Sequence, residues 1–160
     1  MTGGLGNDVF VIDGDDVVVE AANGGTEWVL ANRSYNLGAE VEHLAFSGTG
    51  NFVGNGNAGN NILKGNSGNN RLNGGGGNDQ LTGGLGADIF LFETASGNDT
   101  VTDFSVSQND TINVNAYTAG AANAAMVTQS GANVIVNLGG GHMVTVLNAS
   151  QADVLSHMVW

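Results

Sequence analysis

Side-chain oxygens recur every nine residues in the middle of this chain, each framed by glycine. From Gly56 to Leu91 four nonapeptides follow without a gap: GNAGNNILK, GNSGNNRLN, GGGGNDQLT and GGLGADIFL. Their sixth positions are Asn61, Asn70, Asp79 and Asp88, and their eighth positions are Leu63, Leu72, Leu81 and Phe90. Oxygens at a fixed interval, among glycines that leave backbone carbonyls accessible, form a donor set for a hard cation. Zinc would want His or Cys, which these turns lack, and magnesium prefers a tighter octahedron that retains water. Other chemistries find no matching residues. Neither H-E-x-x-H nor G-x-S-x-G occurs, and GGGGND lacks the Lys-Ser/Thr of a phosphate loop. Gly54, Gly56 and Gly59 match G-x-G-x-x-G, but no helix pattern follows them. His43, His142 and His157 are far apart in sequence, and strand alternation places Glu40 and Glu42 on the face opposite His43.

The repeat extends beyond this block. A fifth copy, GGLGNDVFV, runs from Gly3 to Val11 and puts Asp8 at its sixth position. Looser copies keep glycine, acid and aliphatic at the right offsets: Gly14-Asp16-Val18, Gly25-Glu27-Val29 and Gly97-Asp99-Val101. Between about residues 31 and 55 the pattern blurs into short apolar clusters spaced like strands. The elements implied are very short strands. Gly at positions one, two and four accepts positive φ, so six residues of each repeat are turn-like. The remaining three form a strand with one apolar side chain pointing inward. Two repeats then close a coil of about 18 residues, and successive coils stack at about 4.8 Å. In that register Asn61 lies beneath Asp79, and Asn70 beneath Asp88. Calcium–oxygen bonds of roughly 2.3–2.6 Å let an ion midway between stacked turns reach both.

Composition narrows the partners. The net charge of the 160 residues is −12, because Lys64, Arg33 and Arg71 are the only basic residues. No basic patch can form, which argues against nucleic acid and anionic membrane surfaces and for cations. Cysteine is absent, so disulfides and thiolate metal sites are excluded. No apolar run approaches the roughly 18 residues of a membrane span. Met1 leads straight into TGGLGNDVF, without the basic start and apolar stretch of a signal peptide. Either the protein is cytosolic, or its export reads another signal.

The pattern G-G-x-G-x-D-x-U-x resembles the calcium-binding repeat of the RTX (repeats-in-toxin, hemolysin-type) family. The resemblance implies an all-β, right-handed parallel β-roll, a β-solenoid of nonapeptide repeats that holds several calcium ions. In that family each ion takes carbonyls from positions two and four of one turn and from positions one and three a coil later. Both sixth-position side chains complete the set. Carried over, one site would use Gly75, Gly77 and Asp79 with Thr94, Ser96 and Asp99. A second would use Gly84, Gly86 and Asp88 with Asp103 or Asp110. Two weaker sites would join Asn57, Gly59 and Asn61 to Gly74, Gly76 and Asp79, and Asn66, Gly68 and Asn70 to Gly83, Leu85 and Asp88. Asp8 is a further candidate ligand, and Asp16 and Glu27 are less regular ones. Asn at two sixth positions and Glu27 depart from the family pattern, because Asn keeps an oxygen but loses the charge.

The roll is expected over residues 1–115, with its irregular middle at about 31–55. Residues 116–160 are expected to form a β-rich cap and to carry a type I secretion signal. NAYTAGAANAA reads as a connection with a helical turn, MVTQSGANVIVNLGGGHMVTVLN as a β-meander, and Ser150 as a helix N-cap. The function implied is a secreted, extracellular calcium-binding module without catalysis, attached to an upstream catalytic or adhesive domain of a bacterial protein. An alternative is a structural or adhesive unit of an extracellular layer or filament. An ice- or glycan-binding solenoid would need a ladder of Thr or aromatic residues, which Thr26 and Thr49 do not form.

Overall fold

Three-residue strands with one inward side chain are too short to form a sheet alone, so each must pair with its copy one coil away. A computed structural model describes all 160 residues. Its elements in chain order are β1 (Val9–Ile12), β2 (Trp28–Ala31), β3 (Tyr35–Asn36), β4 (His43–Phe46), β5 (Val53–Asn55), β6 (Ile62–Lys64), β7 (Arg71–Asn73) and β8 (Gln80–Thr82). There follow β9 (Ile89–Leu91), β10 (Asn98–Val101), β11 (Thr111–Asn113), α1 (Asn115–Thr118), β12 (Val127–Ser130), β13 (Asn133–Gly139), β14 (His142–Val146), α2 (Gln151–Ser156) and β15 (Met158–Val159).

The strands sort into two parallel sheets. One runs β1-β2-β4-β6-β8-β10 and the other β3-β5-β7-β9-β11. Ile62 pairs with Gln80 and Leu63 with Leu81, while Arg71 pairs with Ile89 and Leu72 with Phe90. These pairs are eighteen residues apart, so two nonapeptides make one coil. The coil then widens, since Gln80 pairs with Thr100 and Ile89 with Thr111. Towards the amino terminus it is less regular: Val9 pairs with Trp28, Trp28 with His43, and His43 with Ile62. Residues 31–55 are thus wound into the same solenoid.

Each coil contributes its central strand residue to a single apolar column. Leu63, Leu72, Leu81 and Phe90 are completely buried, and Val29, Leu44, Val101 and Ile112 extend the column in both directions. The residues on either side of them face outward or towards the turns, as the two-residue period of a strand requires.

Chain after Val114 covers the last coil. α1 leads to the antiparallel meander of β12, β13 and β14, and β14 pairs in parallel with β10. Helix α2 begins at Ser150, whose hydroxyl accepts the Asp153 N–H. Beyond it, β15 pairs with β11, setting Met158 beside Ile112. Both sheets therefore end on strands from the same segment, which hides the backbone edges of β10 and β11. Val134, Val136, Val144, Val146 and Val154 join the core cluster from this side.

Truncation after Ala116 should uncover both edges and these apolar contacts. We expect the shortened chain, in excess calcium, to melt at lower temperature or to aggregate. Thermal unfolding followed by circular dichroism, with light scattering, measures this. An unchanged melting temperature would show that the tail does not support the roll.

Candidate metal centre

Each sixth-position residue lies just before a strand, so its side chain is held inside the turn and against the coil below. Asp79 Oδ1 accepts the Asn61 N–H at 2.8 Å, and Asp99 Oδ1 accepts the Asp79 N–H at 3.0 Å. On the opposite edge Asp88 Oδ1 accepts the Asn70 N–H at 2.7 Å, and Asp110 Oδ1 accepts the Asp88 N–H at 2.9 Å. Two ladders result, one through Asn61, Asp79 and Asp99, the other through Asn70, Asp88 and Asp110.

These carboxylates are deeply buried. Asp79 is 3% exposed and Asp88 0%. With Oδ1 spent on the coil below, the Oδ2 atoms of Asp79 and Asp88 are buried without a hydrogen-bond partner. An unpaired buried carboxylate oxygen is costly unless a proton or a cation compensates it. Burial accordingly pushes the Asp79 carboxyl up to about 7, with Asp99 adding to the rise and the Asn61 N–H opposing it. Burial also raises Asp88 and Asp99 to about 6, and raises Asp110.

Backbone oxygens complete the surroundings. Gly75 and Gly77 are left-handed, at φ 94° and 104°, and Gly84 and Gly86 repeat this at 95° and 105°. A side chain at Gly97 would run into the Gly77 carbonyl oxygen, so this close approach of two turns depends on glycine. Carbonyls of Gly75, Gly77, Thr94 and Ser96 accept no hydrogen bond. The structure thus brings Gly75, Gly77 and Asp79 against the turn of Thr94, Ser96 and Asp99. No three His, Cys, Asp or Glu side chains converge as a metal cluster, so a cation here must draw on carbonyls as well as acids.

The layer above Asp88 is built differently. Asp110 is the stacked acid. Asp103 instead accepts the N–H groups of Gly83 and Gly84, both at 2.8 Å. Gln108 takes the Gly86 N–H at 2.8 Å and donates to the Gly84 carbonyl at 3.4 Å. The loop 103–110 therefore holds this turn from above with two side chains.

The asparagine turns do not share the aspartate geometry. Asn57, Gly59, Asn66 and Gly68 are not left-handed, unlike their counterparts in the next two repeats. Asn61 Oδ1 accepts the Asn57 N–H at 2.8 Å, and its Nδ2 donates to the carbonyls of Val41 and Glu42 at 3.2 and 3.1 Å. Asn70 repeats this with the Asn66 N–H at 2.8 Å and the Gly50 carbonyl at 3.3 Å. Carbonyls of Asn57 and Asn66 accept the N–H groups of Gly76 and Leu85, both at 2.9 Å. Gly74 and Gly83 sit against the carboxyls of their own turns, Asp79 and Asp88. An amide, being donor and acceptor at once, satisfies itself where a carboxylate cannot.

Three neighbours of the ladders escaped the sequence reading. Glu42 Oε2 accepts the Glu27 N–H at 2.9 Å, a rung of the same kind one coil below Asn61. Its signal was available: like Asp8, Glu27 and Asn61, it directly precedes a strand, but the short coil from Trp28 to His43 hid the register. Tyr117 and His142 come from outside the repeats and carry no such signal. Tyr117 Oη accepts the Ser96 N–H at 3.0 Å, and His142 Nδ1 accepts the Gly97 N–H at 3.1 Å. Together they close the turn that carries Asp99.

A two-sheeted parallel roll with buried, acid-bearing turns stacked along its edges is the architecture of a cation-binding solenoid. Residues 55–90 match the family model of the RTX calcium-binding nonapeptide repeat in four copies, so this block is a calcium-binding RTX repeat array. Among solved structures, the extracellular lipase LipA from Serratia marcescens is similar at 18% identity and a TM-score of 0.47. That match covers 99% of this chain, which spans 38% of the lipase. No curated protein matches the sequence.

Asp79→Ala and Asp88→Ala should each raise the calcium concentration at the folding midpoint far more than Asn61→Ala or Asn70→Ala. Calorimetric titration of the four variants measures this, and equal midpoints would contradict the ladder geometry. Protons should partly replace calcium. The folded values near 6 and 7 lie above the ordinary 3.8, so proton uptake favours the folded chain. That stabilisation is complete below about pH 4 and is lost as pH rises through about 6–7. In calcium-free buffer the β-signal should therefore grow as pH falls from about 8 to about 5. A flat pH profile by circular dichroism would refute it.

Proposed function

We propose that this chain is a calcium-triggered folding module of a larger secreted bacterial protein, and that it supports export by type I secretion. One observation carries the reading. The Oδ2 atoms of Asp79 and Asp88 are buried without partners, within turns whose carbonyls include several that accept no hydrogen bond. No basic side chain pairs with them, because the single ion pair in the structure joins Arg33 to Asp15 at the surface.

The residues fit calcium. One ion would be held by Gly75, Gly77 and Asp79 with Thr94, Ser96 and Asp99. A second would be held by Gly84, Gly86 and Asp88 with Asp110, Asp103 serving as a backbone acceptor beside it. Calcium supplies the positive charge and the six to eight oxygen contacts that such a site calls for. The turns of Asn57–Asn61 and Asn66–Asn70 are already satisfied by amide hydrogen bonds, and stand in this reading as layers with little calcium affinity.

Binding energy then becomes folding energy. One or two buried apolar residues per nonapeptide of the central block, in a glycine-rich backbone, leave little to offset the entropy of ordering these repeats. Sites of the extracellular class work at roughly 10⁻⁴–10⁻³ M calcium. At that affinity the chain stays unfolded in a low-calcium cytosol and folds after export. The module has no catalytic role in this reading, and chemistry belongs to an upstream domain.

Calcium, and not magnesium, should induce the β-signal of the purified chain, with a midpoint of roughly 10⁻⁴–10⁻³ M. Circular dichroism across the two titrations measures this. A full β-signal in chelator, with melting unaffected by calcium, would sink the proposal.

A further inference from the structure

Three asparagines in this chain are followed by glycine: Asn23, Asn55 and Asn73. This dipeptide is chemically labile, because glycine has no Cβ to keep its backbone nitrogen away from the asparagine side chain. The nitrogen attacks Cγ, the Cγ–Nδ2 bond breaks, and ammonia leaves with the amide proton of the glycine, giving a cyclic succinimide. Water then opens the ring at either carbonyl, to aspartate or to isoaspartate, whose extra methylene lies in the main chain. By sequence the three sites are equivalent.

The fold treats them differently. Asn36, Asn55 and Asn73 stack in register at the ends of β3, β5 and β7. Asn55 Nδ2 donates to Asn36 Oδ1 at 2.6 Å, and the Gly56 N–H donates to the Asn73 carbonyl at 2.8 Å. Both reacting groups of this pair are therefore engaged. Asn73 is 9% exposed, and its side chain is held at both atoms. Nδ2 donates to Glu93 Oε2 at 2.9 Å, and Oδ1 accepts the Gly75 N–H at 3.1 Å. The Gly74 N–H meets no backbone carbonyl, so protection here rests on the side chain. Asn23 lies instead in an exposed turn at φ 62°, with the Gly24 N–H engaged by the Ala21 carbonyl at 2.9 Å.

We propose that Asn55 and Asn73 are deamidation sites that folding seals, so that the chain records the time it spends without calcium. The link to calcium rests on the function proposed above, whereas the seal rests on the asparagine ladder and on Glu93. Reaction at Asn73 removes what protected it. Aspartate there has no N–H for Glu93 and sets a second carboxylate against it, which repels. Isoaspartate lengthens the chain between the pairing of Leu72 with Phe90 and the turn of Gly75 and Gly77. Either product alters the entry to the turn that carries Asp79. A chain kept unfolded too long thus loses its ability to fold.

Incubation of the full chain at neutral pH, in chelator and in excess calcium, followed by peptide mass spectrometry, tests the seal. In chelator all three asparagines should convert to succinimide, aspartate or isoaspartate. Calcium should slow Asn55 and Asn73 by about tenfold or more, since they then react only through local opening, and should slow Asn23 much less. Glu93 is exposed, so its replacement leaves the core intact. Glu93→Ala should speed Asn73 in calcium without speeding Asn55. Glu93→Gln, whose amide oxygen still accepts from Nδ2, should restore the protection. Circular dichroism verifies that each calcium sample is folded. Chain aged in chelator should need more calcium to fold, in proportion to its modified Asn73. Equal conversion of Asn55 and Asn73 in folded and unfolded chain would overturn the proposal, as would an Asn73 rate unmoved by Glu93→Ala. A chain that proves folded in chelator would overturn the calcium link, and comparison of native with urea-unfolded chain then decides the seal by itself.

Discussion

Everything in this roll follows from where the sixth residue of each turn must put its side chain. At Asp79, Asp88, Asp99 and Asp110 it points at the coil below, where one oxygen accepts the N–H of the residue beneath. That bond fixes the stacking register, because Asn61, Asp79 and Asp99 can only be joined in this order if the strands after them pair as they do. It also creates the electrostatic difficulty. A carboxylate has two oxygens, and the ladder uses one. The second is carried into the interior at Asp79 and Asp88 with no donor to meet it. Fold and cation demand are two consequences of a single placement.

The two Asn repeats show the same placement without the difficulty. Asn61 bonds its own turn through Oδ1 and the coil below through Nδ2, so nothing is left over. The backbone responds to this difference. Gly75, Gly77, Gly84 and Gly86 adopt left-handed conformations, whereas Asn57, Gly59, Asn66 and Gly68 do not. Residues 56–73 thus form a stretch whose polar groups are satisfied by protein alone, set between acid turns on both sides.

Much of this was legible in the sequence. The period of nine fixed the strands at Leu63, Leu72, Leu81 and Phe90, and two periods per coil fixed which of them stack. The pairing of Asn61 with Asp79 and of Asn70 with Asp88 followed from the same number. Legibility failed where coil length changed. Between Trp28 and His43 the coil loses residues, so Glu42 was placed only on the strand face opposite His43 and not as a rung between Glu27 and Asn61. Beyond Phe90 the coil gains residues, so Asp103 and Asp110 could not be separated by counting. The structure separates them by role, as backbone acceptor and stacked acid.

The ends of the ladders show how the charge problem is contained. A stacked acid must have something above it, and another acid would only extend the repulsion. Above Asp99 the next strand, β14, brings Val144 instead of a carboxylate, and His142 and Tyr117 take the N–H groups of Gly97 and Ser96. His142 also lies close enough to Asp99 to count among the influences that lower that carboxyl against the rise from burial. Above Asp88 the solution is Asp103 and Gln108, which bind the N–H groups of three glycines before Asp110 closes the ladder. Both ends use side chains from outside the repeat to satisfy a turn that the repeat would otherwise satisfy with its next copy. The segment that hides the sheet edges and the segment that ends the charge ladder are therefore joined through β14 and its His142, so the strand that completes the sheet also sets the geometry of the last carbonyls facing Asp99.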